Sequence, residues 1–560
     1  MKAAGGAIAE AIATEAAQRA AADTARLPKT RAERTQYRET SRYADVVQFL
    51  DSLQRLRGGM HVGSIGRTVE GREIPYVVAS RPIVRTPAEA RRLGRPVVYV
   101  QANIHAGEVE GKEALLALVR DLVVDQKANV LDSIVLLAVP IYNADGNEKV
   151  APQSRNRTEQ NGPELVGERP NAQRLDLNRD YVKAEAPETR ASLAMFAEWD
   201  PELFVDLHTT DGSFHGYALT YSPSLNPAAP GGAWARDSLL PELRRRVRAR
   251  DGFETFDYGN FALEYGADVN TDTAKQGWYT YDHRPRFGTN YYGLRGRVAV
   301  LSEAYSHDPF ERRVRATYAF VRELLSLAAE RGPALMAFAA ERDRRSGWLA
   351  AEAAGAAGAV PAVPIRAELT RAPYSGEVVA EELAPDPDSV PDEPGVPRGL
   401  RRTGRFHARR MPVHDRFDPT LRRARPEGYA LDAGQEEVVR LLRLHGVVVE
   451  RLTGDARARV QAFVVDSAAR SARPFQGHNE VRLAGRWRGG DRGEERLLPA
   501  GGFVVPAAQP LGVLAMYLLE PESDDGLAVW NVFDRWLRTG AEFPVLRVME
   551  PVRAPRRAEP

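Results

Sequence analysis

"RPVVYVQANIHAGEVEGKEALLALV", residues 95–119, is the stretch on which the fold turns. Its first half is a short apolar run that reads as a strand, and from about residue 110 to 124 the apolar spacing becomes helical. A strand running straight into a helix is the repeating unit of an α/β sheet. His105 and Glu108 stand three apart at the junction. Alone, such a pair reads as a capped, solvated turn, so its meaning depends on the rest of the chain.

Outward from this stretch the same alternation continues. Further strand-like runs occur at "IPYVVAS" (74–80), "SIVLLAVPI" (133–141), "ELFVDL" (202–207) and "RVAVLSEA" (297–304). Helix-like stretches occupy 43–56, about 186–198 and 310–330. In open α/β sheets the loops leaving the carboxyl ends of strands form the ligand crevice. The strand before His105 and Glu108, the one before His208 and the one ending at Glu303 therefore deliver four metal-competent or acid/base side chains to one edge. Two histidines and one carboxylate leave the fourth position of a zinc ion open to water, as catalysis requires. Glu303 is then the second carboxylate, available to take a proton from that water and return it to a leaving group.

Composition narrows the choices. The 560 residues carry 77 basic and 76 acidic side chains, a net charge of +1 that attracts neither nucleic acid nor an anionic membrane. With no cysteine, any metal must be held by histidines and carboxylates. No stretch approaches the roughly 20 apolar residues of a membrane span, and the Ala-rich start, broken by Glu10 and Glu15, lacks the apolar core of a secretory signal. Gly-x-Ser-x-Gly, phosphate-loop and Gly-x-Gly-x-x-Gly motifs are missing, which argues against serine hydrolase, NTPase and Rossmann oxidoreductase chemistry.

Four ordered motifs, "IHAGEVEGKEA" (104–114), "LDLNRDY" (175–181), "VDLHTT" (205–210) and "VLSEAY" (300–305), together with the upstream "VGSIGRTVEGREIPYVVAS" (62–80), resemble the M14 (carboxypeptidase A-like) zinc carboxypeptidases over about residues 40–330. The resemblance implies an α/β fold built on a mixed, mostly parallel twisted sheet with helices on both faces. It makes His105, Glu108 and His208 the ligands of one zinc ion per chain and Glu303 the general base. It assigns Asn178 and Arg179 to a substrate's terminal carboxylate, and Asp176 to the carboxyl that orients the first zinc histidine. For the oxyanion arginine, Arg155 and Arg157 are both candidates, with Arg157 preferred; for the tyrosine that closes over the substrate, Tyr291 and Tyr292 compete.

Other charged residues receive structural readings. Glu110, Lys112 and Glu113 are expected on the exposed face of the helix, and His215 as a hydrogen-bonded loop histidine. His283, Arg284 and Arg286 read as exposed loop charges that would favour an acidic side chain only if they faced the pocket. "NGPELVGERPNAQR" (161–174) is expected to reshape the cleft.

The expected organisation is an Ala-rich tail at 1–26, the zinc carboxypeptidase-like domain at 27–335, a helix and Pro/Asp-rich linker at 336–398, and a β-rich C-terminal accessory domain at 399–560, suggestive of a sandwich. The arginine-dense start of that last part reads as a solvated face. The functional expectation is a zinc metallocarboxypeptidase acting on a peptide or protein with a free C-terminus, with no nucleic-acid partner. A related amidohydrolase on acylated amino acids or peptidoglycan stem peptides is the alternative, and a binding protein without chemistry is disfavoured because all four positions are filled. By resemblance to bacterial relatives, an extracytoplasmic location is expected although no signal is legible.

Overall fold

A computed structural model of the chain describes residues 27–56, 59–261, 277–353, 362–386, 396, 399–553 and 555–558; the Ala-rich tail lies outside the described residues. Eight strands form the central sheet: β1 Met60–Arg67, β2 Glu73–Ala79, β3 Val97–Ala102, β4 Val135–Val139, β5 Leu203–Thr209, β6 Leu219–Pro223, β7 Thr255–Asp257 and β8 Val298–Ala304. Their order across the sheet is β1-β2-β4-β3-β5-β8-β6-β7. The centre, β4-β3-β5-β8, is parallel, whereas β1, β2 and β6 join antiparallel.

Every residue of β3, β5 and β8 is buried, which explains their near-continuous apolar runs: a sheet covered on both faces has no solvent side to alternate with. On one face Val98 and Val100 pack with helices α1 Tyr43–Leu56, α2 Glu110–Val124 and α3 Phe310–Glu330. On the other, Tyr99 and Phe204 pack with Phe196, Tyr291 and Tyr292.

The charges at the start of α2 are not exposed. Glu110, Lys112 and Glu113 are all buried, because segment 30–43 and α3 cover that flank of the helix. Charged groups are buried when partnered. Lys112 Nζ donates to Ser41 O at 2.6 Å, Glu113 accepts from Ser41 N at 2.6 Å and Thr40 Oγ1 at 3.0 Å, and Glu110 faces Arg313 Nε at 3.4 Å.

Downstream, the expected boundaries shift. One helix runs Gly332–Ala353, across the anticipated break at 335, and strands Ala362–Leu369 and Tyr374–Pro385 fall inside the segment read as linker. Ala362–Leu369 pairs with Phe417–Ala424, and Tyr374–Pro385 with Leu400–His414; most of the Pro/Asp-rich stretch lies outside the described residues. Beyond them one eight-stranded sheet carries helices Glu436–Leu444 and Gly512–Leu519, in place of the expected sandwich. Val438, Leu442, Leu514 and Leu518 belong to the same apolar cluster as Phe196, Tyr291 and Tyr292, so the two halves share a core.

Polar contacts reinforce that junction. Arg286, buried rather than exposed, donates to Asp525 Oδ1 from Nε at 2.9 Å and from Nη2 at 2.7 Å, and lies 4.5 Å from the Trp530 ring. His283 Nε2 is 3.0 Å from Asp524 Oδ2, and Arg284 pairs with Asp282. The histidine and both arginines are thus interdomain or local ion-pair residues, not a charged specificity pocket. His445 donates from Nε2 to Val182 O at 2.9 Å and accepts the Tyr291 hydroxyl at 2.7 Å on Nδ1.

This burial has a pH consequence. It pushes His215 and His445 from 6.5 down to about 3, so both are neutral in the folded chain. Unfolded, each regains a value near 6.5 and binds a proton that the folded state refuses, so stability falls as pH drops from about 6.5 towards 3. The slope for each approaches about 1.4 kcal/mol per pH unit. In His445→Gln the stability lost between pH 6.5 and 5, read from urea midpoints, is expected to shrink; an unchanged loss contradicts the assignment.

Candidate metal centre

The loop after β3 is shaped by its own side chains. Asn103 takes a left-handed φ of 66°, which asparagine tolerates, and its Nδ2 donates to Ala106 O and Glu108 O, both at 3.2 Å. Gly107 permits close approach: a Cβ there would stand 2.6 Å from Arg157 Cγ. These constraints turn His105 and Glu108 inward at the carboxyl edge of the sheet. On the neighbouring strand His208 projects from the end of β5, and Glu303 lies opposite it in register on β8.

His105, Glu108 and His208 converge, each offering a ligand atom within 4.8 Å of the others. His105 Nδ1 is 2.9 Å from Glu108 Oε1, and His208 Nδ1 is 2.9 Å from Glu108 Oε2. Both imidazoles are backed on the far nitrogen by a carboxylate: His105 Nε2 lies 3.0 Å from Asp176 Oδ1, and His208 Nε2 3.1 Å from Asp206 Oδ2. Such outer carboxylates fix the tautomer and orientation of a ligating histidine. Two nitrogens and one oxygen, all buried, with a carboxylate beside the far nitrogen of each ring, suit a divalent ion of zinc's type.

The two cleft glutamates differ electrostatically. Burial opposes ionisation of Glu108, but His105 and Arg157 beside it hold its carboxyl well below the usual range. Burial pushes Glu303 well above that range; His208 pulls it down, while Glu108 and Asp211 add to the rise. The two carboxyls are thus shifted in opposite directions, Glu108 towards the ionised form and Glu303 towards higher proton affinity.

Glu303, Asn178 and Arg179 line the same cleft as the three donors. Asp176 begins the short turn Leu177–Arg179: its Oδ1 accepts Asn178 N at 2.9 Å, and Asn178 Oδ1 accepts Gly288 N at 2.9 Å. Arg179 stacks 3.9 Å from the Phe287 ring centroid.

The arginine and tyrosine expectations need correction. Arg155 is exposed on the short helix Gln153–Asn156, away from the cleft. Arg157 is buried behind Glu108, with Nη1 3.1 Å from Glu108 Oε1 and Nη2 donating to Thr209 O and Thr210 O. Besides Arg179, the arginine on the cleft wall is Arg169, from the 161–174 segment, whose Nε donates to Asp176 Oδ2 at 2.9 Å. Tyr291 and Tyr292 are wholly buried: Tyr291 meets His445, and Tyr292 bonds Ser192 at 2.7 Å and stacks on Phe196 at 3.8 Å. Helix Gly288–Leu294 turns both into the core. The cleft tyrosines are Tyr258 and Tyr281, the latter buried beside Ser222, Thr289 and Glu303.

Asp206, Arg169, Tyr258 and Tyr281 were missed by sequence reasoning. Only Asp206 carried a local signal: two residues before His208 on a strand, it shares that histidine's face. His215 is buried, accepting Tyr217 N at 3.3 Å, and is not part of the cleft lining.

Residues 46–230 match the family model described as Peptidase_M14, zinc carboxypeptidase. Carboxypeptidase 2 of Trichophyton rubrum is 24% identical over 89% of this chain and 85% of its own. Carboxypeptidase M of Mus musculus is 31% identical over 35% of this chain and 42% of its own. Among solved structures, carboxypeptidase A from Helicoverpa armigera is 16% identical, covering 55% of this chain and 78% of that one, with a TM-score of 0.37.

Proposed function

We propose that this chain, a member of the zinc carboxypeptidase family through residues 46–230, removes C-terminal residues from peptides. The observation that carries the reading is the convergence of His105, Glu108 and His208 beside a cleft that also holds Glu303, Asn178 and Arg179. A zinc ion held by those three donors supplies a Lewis acid that polarises a carbonyl and acidifies water.

The chain's own residues do the rest. Arg179, with its planar fork, and Asn178 bind the substrate's free carboxylate and so select the terminal bond. Glu303 accepts the proton of the attacking water and passes it to the departing amine. Arg169 provides a fixed positive charge where negative charge develops on the scissile carbonyl oxygen. Arg157 holds Glu108 in place, and Asp176 and Asp206 keep His105 and His208 presenting Nδ1. Tyr281 closes the wall next to Glu303.

A panel of peptides with free and amidated C-termini tests the substrate class. Free-acid peptides should be shortened one residue at a time and amides spared. Arg179→Ala is expected to lower kcat/KM on the free acid roughly 10- to 100-fold, mostly through KM, as loss of a hydrogen bond to a charged group implies (about 1.5–3 kcal/mol). Equal turnover of acid and amide would favour the amidohydrolase reading.

A further inference from the structure

One turn of the C-terminal sheet domain reaches the metal centre. Phe475 N donates to His478 O at 2.8 Å and His478 N to Phe475 O at 3.0 Å, enclosing Gln476 and Gly477 with φ of 49° and 82°. Two successive positive φ values make the tight hairpin turn whose twist suits its flanking strands. The turn is anchored at its base: His478 Nε2 lies 2.9 Å from Glu185 Oε1 and its Nδ1 3.0 Å from Asn531 Oδ1. At its tip the Gln476 Oε1 accepts the backbone N–H of Asp176 at 2.8 Å, a contact across 300 residues of sequence.

Asp176 is a pivot. Its Oδ1 faces His105 Nε2 and accepts Asn178 N, its Oδ2 accepts from Arg169, and its backbone starts the turn that carries Asn178 and Arg179. Rotation of its peptide plane would therefore disturb a metal-donor histidine, the cleft arginine and the carboxylate-binding pair together. A side-chain amide held by a rigid two-residue turn restrains that rotation.

We propose that Gln476 is a positioning residue of this active site, acting through Asp176, so that the C-terminal domain completes the metal centre rather than serving as a separate module. The proposal rests on the zinc carboxypeptidase reading for its consequences, though not for the contact itself.

Gln476→Met keeps the length and removes the acceptor; Gln476→Glu keeps the acceptor. Both are made in the full chain and compared by amide hydrogen exchange over residues 175–181 without metal, by the rate of zinc loss to a chelator, and by KM and kcat on a free-acid peptide. Met is expected to speed exchange at Asp176, to accelerate zinc loss roughly 10-fold, the low end for groups that support a metal ligand, and to raise KM more than it lowers kcat. Glu should restore all three. Gln476→Gly, which suits the positive φ, replaces Met if that variant does not fold. Unchanged exchange and zinc retention in the variant lacking the acceptor overturn the proposal. A wild-type chain that takes up no zinc overturns the functional reading instead, while the exchange comparison still decides whether Gln476 holds Asp176.

Discussion

Glu303→Gln is expected to lower kcat on free-acid peptides by roughly 10²- to 10⁴-fold, the contribution of a positioned acid–base group, while one equivalent of zinc stays bound. The separation follows from geometry. Glu303 stands opposite His208 across β5 and β8 yet outside the three-donor cluster, so neutralising it leaves His105, Glu108 and His208 untouched. Glutamine has the same shape and cannot hold the transferred proton. Because Asn178 and Arg179 remain, KM should change little. Metal content by elemental analysis and steady-state kinetics on one preparation provide the check. Residual kcat within threefold of wild type would remove Glu303 from the chemistry, and loss of zinc would make it a ligand instead.

The second large effect is on stability. Asp525 is wholly buried and accepts from Arg286 N, Nε and Nη2 and from Trp530 Nε1. Asp525→Ala removes the fully buried one of two carboxylates on Arg286, leaving only the partly exposed Glu480 at 2.5 Å, a change that costs up to about 3–5 kcal/mol in a fold whose whole stability is about 5–15 kcal/mol. The pairing joins the cleft-wall loop bearing Tyr281, Phe287 and Thr289 to the C-terminal half, so activity should be lost at the same lower temperature as the fold. Urea unfolding and thermal inactivation measure the two. The double variant Arg286→Met with Asp525→Leu, which buries apolar groups in place of the pair, is expected to recover most of the loss. If Asp525→Ala alone costs less than about 1 kcal/mol, the range of an exposed pair, the pair does not hold the domains together.

Such interdomain contacts show where a linear reading stops. His283 and Arg286 look like loop charges because their partners, Asp524 and Asp525, lie some 240 positions away. Lys112 and Glu113 look like a solvated helix face because nothing near them in sequence announces that Thr40 and Ser41 will cover them. Tyr291 and Tyr292 precede Glu303 as expected, but the direction of helix Gly288–Leu294 sends both rings into the shared core, and Tyr281 from the preceding loop takes the cleft wall.

By itself the sequence determined the α/β character of the first half and the side chains that meet at its carboxyl edge. Strand exits are local events: an apolar run, a turn and a helical period fix where His105, Glu108, His208 and Glu303 emerge, and a parallel sheet brings neighbouring exits together. Only the tertiary structure decided which arginine and which tyrosine enter the cleft, and that the C-terminal half touches Asp176. Those residues sit on loops without periodicity, whose direction is set by packing against distant segments and not by their own neighbours.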